Sequence, residues 1–158
     1  AKLWVATRSA SKSTWPGMID HIVAGGLAYG ISPSETVIKE CGEEANIPES
    51  LARRAQPVGA ISYRGRDEAG KLKRDAMFCY DLELPPSFTP TPVDGEVESF
   101  ELRDMQWVLQ RVIEGGSSGY KPNCNLVVID FLIRHGVILP ETEQYLELVA
   151  ALRSGECS

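Results

Sequence analysis

No stretch of this 158-residue chain comes near the eighteen or so consecutive apolar residues that a membrane-spanning helix needs. Its start also lacks the charged-then-apolar order of a secretory leader, so we expect no membrane span. Cysteine is scarce: Cys41, Cys79, Cys124 and Cys157 form neither a CxxC pair nor a metal-ligand spacing. Reduced thiols in an intracellular protein, in the cytoplasm or an organelle, are therefore expected. Positive charge is in the minority, with 16 Lys and Arg against 22 Asp and Glu and a formal net charge of -6. That balance argues against a nucleic-acid partner, since gripping a phosphate backbone takes a basic surface. A small anionic substrate stays open to the chain, provided metal ions and local basic residues offset the acidity. The two histidines, His21 and His135, have no partner at ligand spacing; His21 reads as a packed strand residue.

Apolar residues make up 43% of the chain, enough to bury one compact core without staples. We expect a single domain over residues 1–158. Because Ala1 rather than Met opens directly on a strand-like run, that domain is expected to be part of a longer protein. Residues 3–7 and 19–24 read as strands, separated by a polar loop closing at Pro16-Gly17. Ser32, Pro33 and Glu35 combine an N-cap, a proline at the first helical position and a glutamate at the third, so a helix starts there. It should stop near Asn46, with Pro48 just beyond. Residues 48–55 add a short helix, residues 58–63 and 76–84 a hairpin through a polar turn at 67–70, and residues 99–108 another strand. Residues 108–114, 123–134 and 141–153 read as helices. Strands interleaved with helices, without regular βαβ alternation, predict an α/β fold of the α+β kind, a mixed sheet flanked by helices.

The chemistry concentrates on the helix after Ser32. Val37, Ile38, Cys41 and Ala45 recur at helical spacing and form its apolar stripe, while Glu40, Glu43 and Glu44 stand at i, i+3 and i+4 on one face. Like charges so placed repel by roughly a few tenths of a kcal/mol per pair, and Lys39 offsets part of this. Periodicity alone is satisfied by a solvated acidic face. Oxygen ligands grouped this way also suit Mg²⁺ or Mn²⁺.

The whole stretch of residues 25–47, GGLAYGISPSETVIKECGEEANI, resembles the Nudix box, G-x5-E-x7-R-E-U-x-E-E-x-G-U with U aliphatic. Glu40, Glu43, Glu44 and Ile47 match; Ile31, Lys39 and Asn46 stand where the box has glutamate, arginine and glycine. The resemblance implies a Nudix-type α/β/α sandwich, a metal-dependent diphosphate hydrolase with Mg²⁺ (or Mn²⁺), and Glu43 and Glu44 as metal ligands. Glu40 would be a further ligand or the base that activates water. A distant loop carboxylate usually joins them in this family; Asp94 to Glu98 is the place to look, with Glu96 ahead of Glu98.

Residues 12–30, 73–84, 94–102 and 121–136 are similar to one branch, Nudix proteins related to, and in some fungi fused with, thiamine pyrophosphokinase. That branch implies a further domain upstream and a small-molecule diphosphate as partner: thiamine diphosphate or its oxo and oxy analogues, cut to the monophosphate. Arg8, Lys12, Arg74 and Lys121 are then candidates for the phosphates, and Trp15, Tyr63 or Tyr120 for stacking on a heterocycle. Lys12 and Trp15, sharing one loop, rank first. Three other readings exist: the same chemistry on a nucleoside diphosphate derivative, a noncatalytic module, and a Nudix-fold isomerase of isopentenyl diphosphate. The isomerase needs a catalytic cysteine, and Cys41 lies on the apolar stripe.

Overall fold

The capping signals at residues 32–46 form the helix they predict. In the computed structural model, which describes residues 1–66 and 70–155, α1 runs Pro33–Ala45. Ser32 Oγ accepts the Glu35 backbone N–H at 3.2 Å, and the Glu35 carboxylate accepts the Ser32 N–H at 2.9 Å. Two otherwise orphaned donors are satisfied reciprocally. At the other end Asn46 adopts a left-handed φ of 54° and donates its N–H to Cys41 O. Cys41 and Ala45 on α1 join Ile47 and Ala52 in a core, Ala52 coming from the short helix α2, Glu49–Ala52. Val37, Ile38, Leu82 and Phe100 pack against that core, so the expected apolar stripe of α1 is the face that faces inward.

The described residues fall into two units, residues 1–57 with 80–125, and the remainder. In the first, β1 (Lys2–Arg8) is the centre of an antiparallel sheet in the order β2-β1-β5, with β2 at Ile19–Asp20 and β5 at Val97–Asp104. β1 and β5 stay in register from Lys2 opposite Asp104 to Thr7 opposite Ser99; a bulge then places Arg8 against Val97. On the far side of β2, Ile19 makes an isolated parallel bridge to Tyr120. Strands and helices interleave along the chain, which gives the mixed α/β class expected. Helix α3, Met105–Glu114, follows β5 directly and is capped by Asp104, whose side chain accepts the Trp107 N–H at 2.8 Å.

The second unit has its own core of Ile61, Cys79 and Leu152, against which Leu126, Val127, Ile129 and Ile133 pack. Its sheet pairs β3 (Gln56–Arg66) with β4 (Leu72–Asp81). Helix α5 (Tyr145–Ala151) and, from residue 126 on, helix α4 (Pro122–Arg134) supply the rest. Buried Asp130 is held there by Arg134 at 2.8 Å and Arg153 at 2.9 Å.

Several expected bounds move for physical reasons. The strand expected at residues 19–24 is only Ile19–Asp20, because the next backbone N–H groups bond to side-chain carboxylates instead of a ladder: His21 to Asp20 and Ala24 to Glu44. The helix expected at 141–153 starts at Tyr145, since turns at Leu139 to Thr142 and Thr142 to Tyr145, and a left-handed Gln144, precede it. The turn expected at 67–70 lies, except for Gly70, outside the described residues, as does Cys157.

Candidate functional site

Short segments of the first unit converge on a cavity of about 250 Å³. The end of β1 and the loop after it contribute Arg8, Lys12 and Thr14; β2 and the residues after it contribute Asp20, His21 and Ala24. Glu44 enters from α1, Glu96 from the turn before β5, and Lys121 from the segment leading into α4.

Turn chemistry builds the acidic part. Asp94 Oδ1 accepts the Glu96 N–H at 2.9 Å, and Gly95 between them sits at a φ of 81° that side chains rarely adopt. This tight turn brings Asp94 and Glu96 to Glu44, with one carboxylate oxygen of each within 4.8 Å of the others. Glu44 is buried and its Oε2 accepts the Ala24 N–H at 2.8 Å. Burial above all, then the charges of Glu40, Asp94 and Asp20, push its carboxyl up to about 7 despite the Ala24 bond. A buried carboxylate among other acids is short of a cation, and the all-oxygen donor set suits a hard divalent ion. These residues therefore fit a divalent metal ion.

Of the four carboxylates expected on the metal, the structure brings Glu44 and Glu96 together. Glu43 is exposed and tied to Lys39 at 2.5 Å; Glu40 lies 3.4 Å from the same ammonium. Lys39 thus orients both carboxylates as a point charge, where a guanidinium would use a fork. Gly25 makes room for Glu40: a Cβ added there would stand 2.2 Å from Glu40 Cδ. Asp94 lies within the stretch expected to supply the loop carboxylate, where the sequence ranks Glu96 ahead of Glu98; the turn sets Asp94 beside Glu96 in the cluster. Asp20 had no readable signal, because its partners Arg8 and Cys124 meet it only in the fold.

The basic residues divide differently from expectation. Arg8, expected on phosphate, is buried and spends its guanidinium on the protein: Nη1 on Asp20 at 2.6 Å, Nε on Trp15 O at 3.0 Å and Nη2 on Thr14 O at 2.8 Å. It clamps the loop. Lys12 lines the cavity and pairs with Glu96 at 2.7 Å; Lys121 lines it 3.9 Å from Asp20. Trp15 is exposed at a strained φ of 52° and is not among the lining residues. Arg74 stands exposed on β4 and Tyr63 half-buried on β3, both in the second unit; neither lines this cavity. Tyr120 is buried and not stacked in the cavity lining. Cys41 is buried, and burial raises its thiol to about 11, so it offers no nucleophilic thiolate at neutral pH.

The described residues include no helix long and apolar enough to cross a membrane. The family model for the NUDIX domain matches residues 1–120. Nudix hydrolase 20, chloroplastic, of Arabidopsis thaliana is 53% identical over 156 residues, covering 99% of this chain and 41% of the relative. Nudix hydrolase 24, chloroplastic, of the same plant is 52% identical over 156 residues, 99% of this chain and 42% of its own. The chain thus spans about two fifths of the length of these curated relatives. A Deinococcus radiodurans protein of known crystal structure superposes with a TM-score of 0.62 at 24% identity, over 81% of this chain and 74% of that one. That likeness concerns the fold alone and agrees with the α/β sandwich class. With three quarters of its length matched, and with the glutamate helix and its glycine in place, the chain belongs to the NUDIX domain family.

Proposed function

We propose that this domain hydrolyses a diphosphate attached to an organic group, with thiamine diphosphate or its oxo and oxy analogues as substrate and the monophosphate as product. The observation that carries the chemistry is one cavity lined by both the Glu44 and Glu96 carboxylates and the Lys12 and Lys121 ammonium groups. The thiamine moiety rests on the sequence resemblance of residues 12–30, 73–84, 94–102 and 121–136 to that branch. Glu44, Asp94 and Glu96 would hold Mg²⁺ or Mn²⁺, with Glu43 as a further ligand. When bound, the ion supplies Lewis acidity to the phosphoryl oxygens.

The remaining work belongs to the chain itself. Lys12 and Lys121 pair with the phosphates. Arg8 acts one step back, fixing the loop that carries Lys12 and Trp15; the indole then covers the heterocycle. Glu40, steadied by Lys39, either completes the ligand set or takes the proton of the attacking water. Water adds at a phosphorus, the bridging P–O bond breaks, and inorganic phosphate leaves. The domain spans residues 1–158 of a longer protein acting in the cytoplasm or an organelle, the latter being the compartment in the names of the two plant relatives. Nucleic acid is not its partner.

Product mass spectrometry on thiamine, oxothiamine and oxythiamine diphosphates, with ADP-ribose as control and with or without Mg²⁺, tests this. Metal-dependent release of thiamine-type monophosphates is expected. Cleavage of ADP-ribose alone would keep the chemistry and sink the substrate.

A further inference from the structure

A second donor set of different chemistry lies in the same unit. Asp20, His21 and Cys124 each place one ligand atom within 4.8 Å of the other two. Cys124 is buried at 2% exposure, and its Sγ donates to Asp20 Oδ1 at 2.7 Å. The other Asp20 oxygen is taken by Arg8 at 2.6 Å, with Lys121 at 3.9 Å. His21 Nε2 is buried with no hydrogen-bond partner among the described residues. The hydroxyl of Tyr120 is likewise buried without a partner among the described residues. A ring nitrogen orphaned inside a protein calls for a ligand.

We propose that Asp20, His21 and Cys124 form a second metal site, specific for a thiophilic divalent ion of the zinc class. Sulfur and imidazole donors favour such an ion and disfavour Mg²⁺, whereas Glu44, Asp94 and Glu96 offer oxygen only. Asp20 and His21 line the cavity, which gives the ion a route in. Binding releases the Cys124 proton to solvent; the thiolate and the Asp20 carboxylate then balance the two positive charges, and the neutral imidazole fills the third position. The 2.7 Å contact between sulfur and carboxylate opens to about 3.5 Å, the edge of a tetrahedron with metal–ligand bonds near 2.1–2.3 Å. Arg8 keeps its bond to the outer carboxylate oxygen and steadies the ligand from behind. The site does not depend on what the neighbouring cavity cleaves.

The test is titration with Cd²⁺ in excess Mg²⁺, in a Cys157→Ser background, read by the ultraviolet thiolate-to-cadmium charge-transfer band. We expect one band saturating at one equivalent, reversed by Zn²⁺, absent in Cys124→Ala, and with an affinity at least tenfold weaker in His21→Gln. No band, or a band that survives Cys124→Ala, overturns the site. Should circular dichroism show that Cys124→Ala does not fold, the folded His21→Gln protein decides: an unchanged Cd²⁺ affinity overturns it.

Discussion

Glu44 shows how one residue can weaken the fold to serve the site. Its carboxyl titrates at about 7 in the folded, metal-free protein against an ordinary 4.5, burial being the main cause. Below pH 4.5 both states hold the proton and nothing is lost. As pH rises from 4.5 through 7 the folded state keeps a proton that the unfolded chain releases, so stability falls, and above 7 the full cost, on the order of 3 kcal/mol, is present. Glu44→Gln should therefore raise the melting temperature of the metal-free protein at pH 8 but not at pH 4.5, and abolish turnover at both; equal effects at the two pH values would refute the burial argument. Gly25 acts in the same place without charge. Gly25→Ala leaves a Cβ no room beside Glu40, so the carboxylate must swing away. We expect turnover to drop at least tenfold with little change in denaturant midpoint; a midpoint shift with normal turnover would instead mark Gly25 as a packing residue.

At the scale of the element, α1 carries chemistry only because both its ends are fastened. Removing the capping box by Ser32→Ala should cost about 1 kcal/mol in urea unfolding. Asn46→Gly should be neutral or slightly stabilising, because glycine accepts the left-handed conformation better than asparagine. The pair distinguishes a cap from a contact, since loss of the Asn46 side-chain bond to Thr91 is the only competing cost among the described contacts. The capping, unlike the Glu44 burial, was legible in advance: Ser32, Pro33, Glu35 and Asn46 act within one turn of their own position. β2 shows the opposite case. Residues 19–24 read as a longer strand, yet the Asp20 and Glu44 carboxylates take the backbone donors of His21 and Ala24.

For the molecule as a whole, the Glu44, Asp94 and Glu96 cluster would couple folding to a divalent cation. An ion that binds only the folded state adds stability by mass action, about 2.7 kcal/mol at a hundredfold excess over its dissociation constant. Mg²⁺ or Mn²⁺ should accordingly raise the melting temperature of the protein, and Glu96→Gln or Glu44→Gln should shrink that rise; a rise unchanged in both variants would exclude these carboxylates as ligands.

Local rules written into the chain settled the helix, its caps, the glutamate spacing and the family resemblance, because each depends on residues a few positions apart. Which carboxylates gather was decided only by the tertiary structure. Glu44 and Glu96 lie fifty-two positions apart and Asp20 and Cys124 a hundred and four. The turn at Gly95, the bulge at Arg8 and the parallel bridge from Ile19 to Tyr120 bring such residues together, and no periodicity in the chain encodes that meeting.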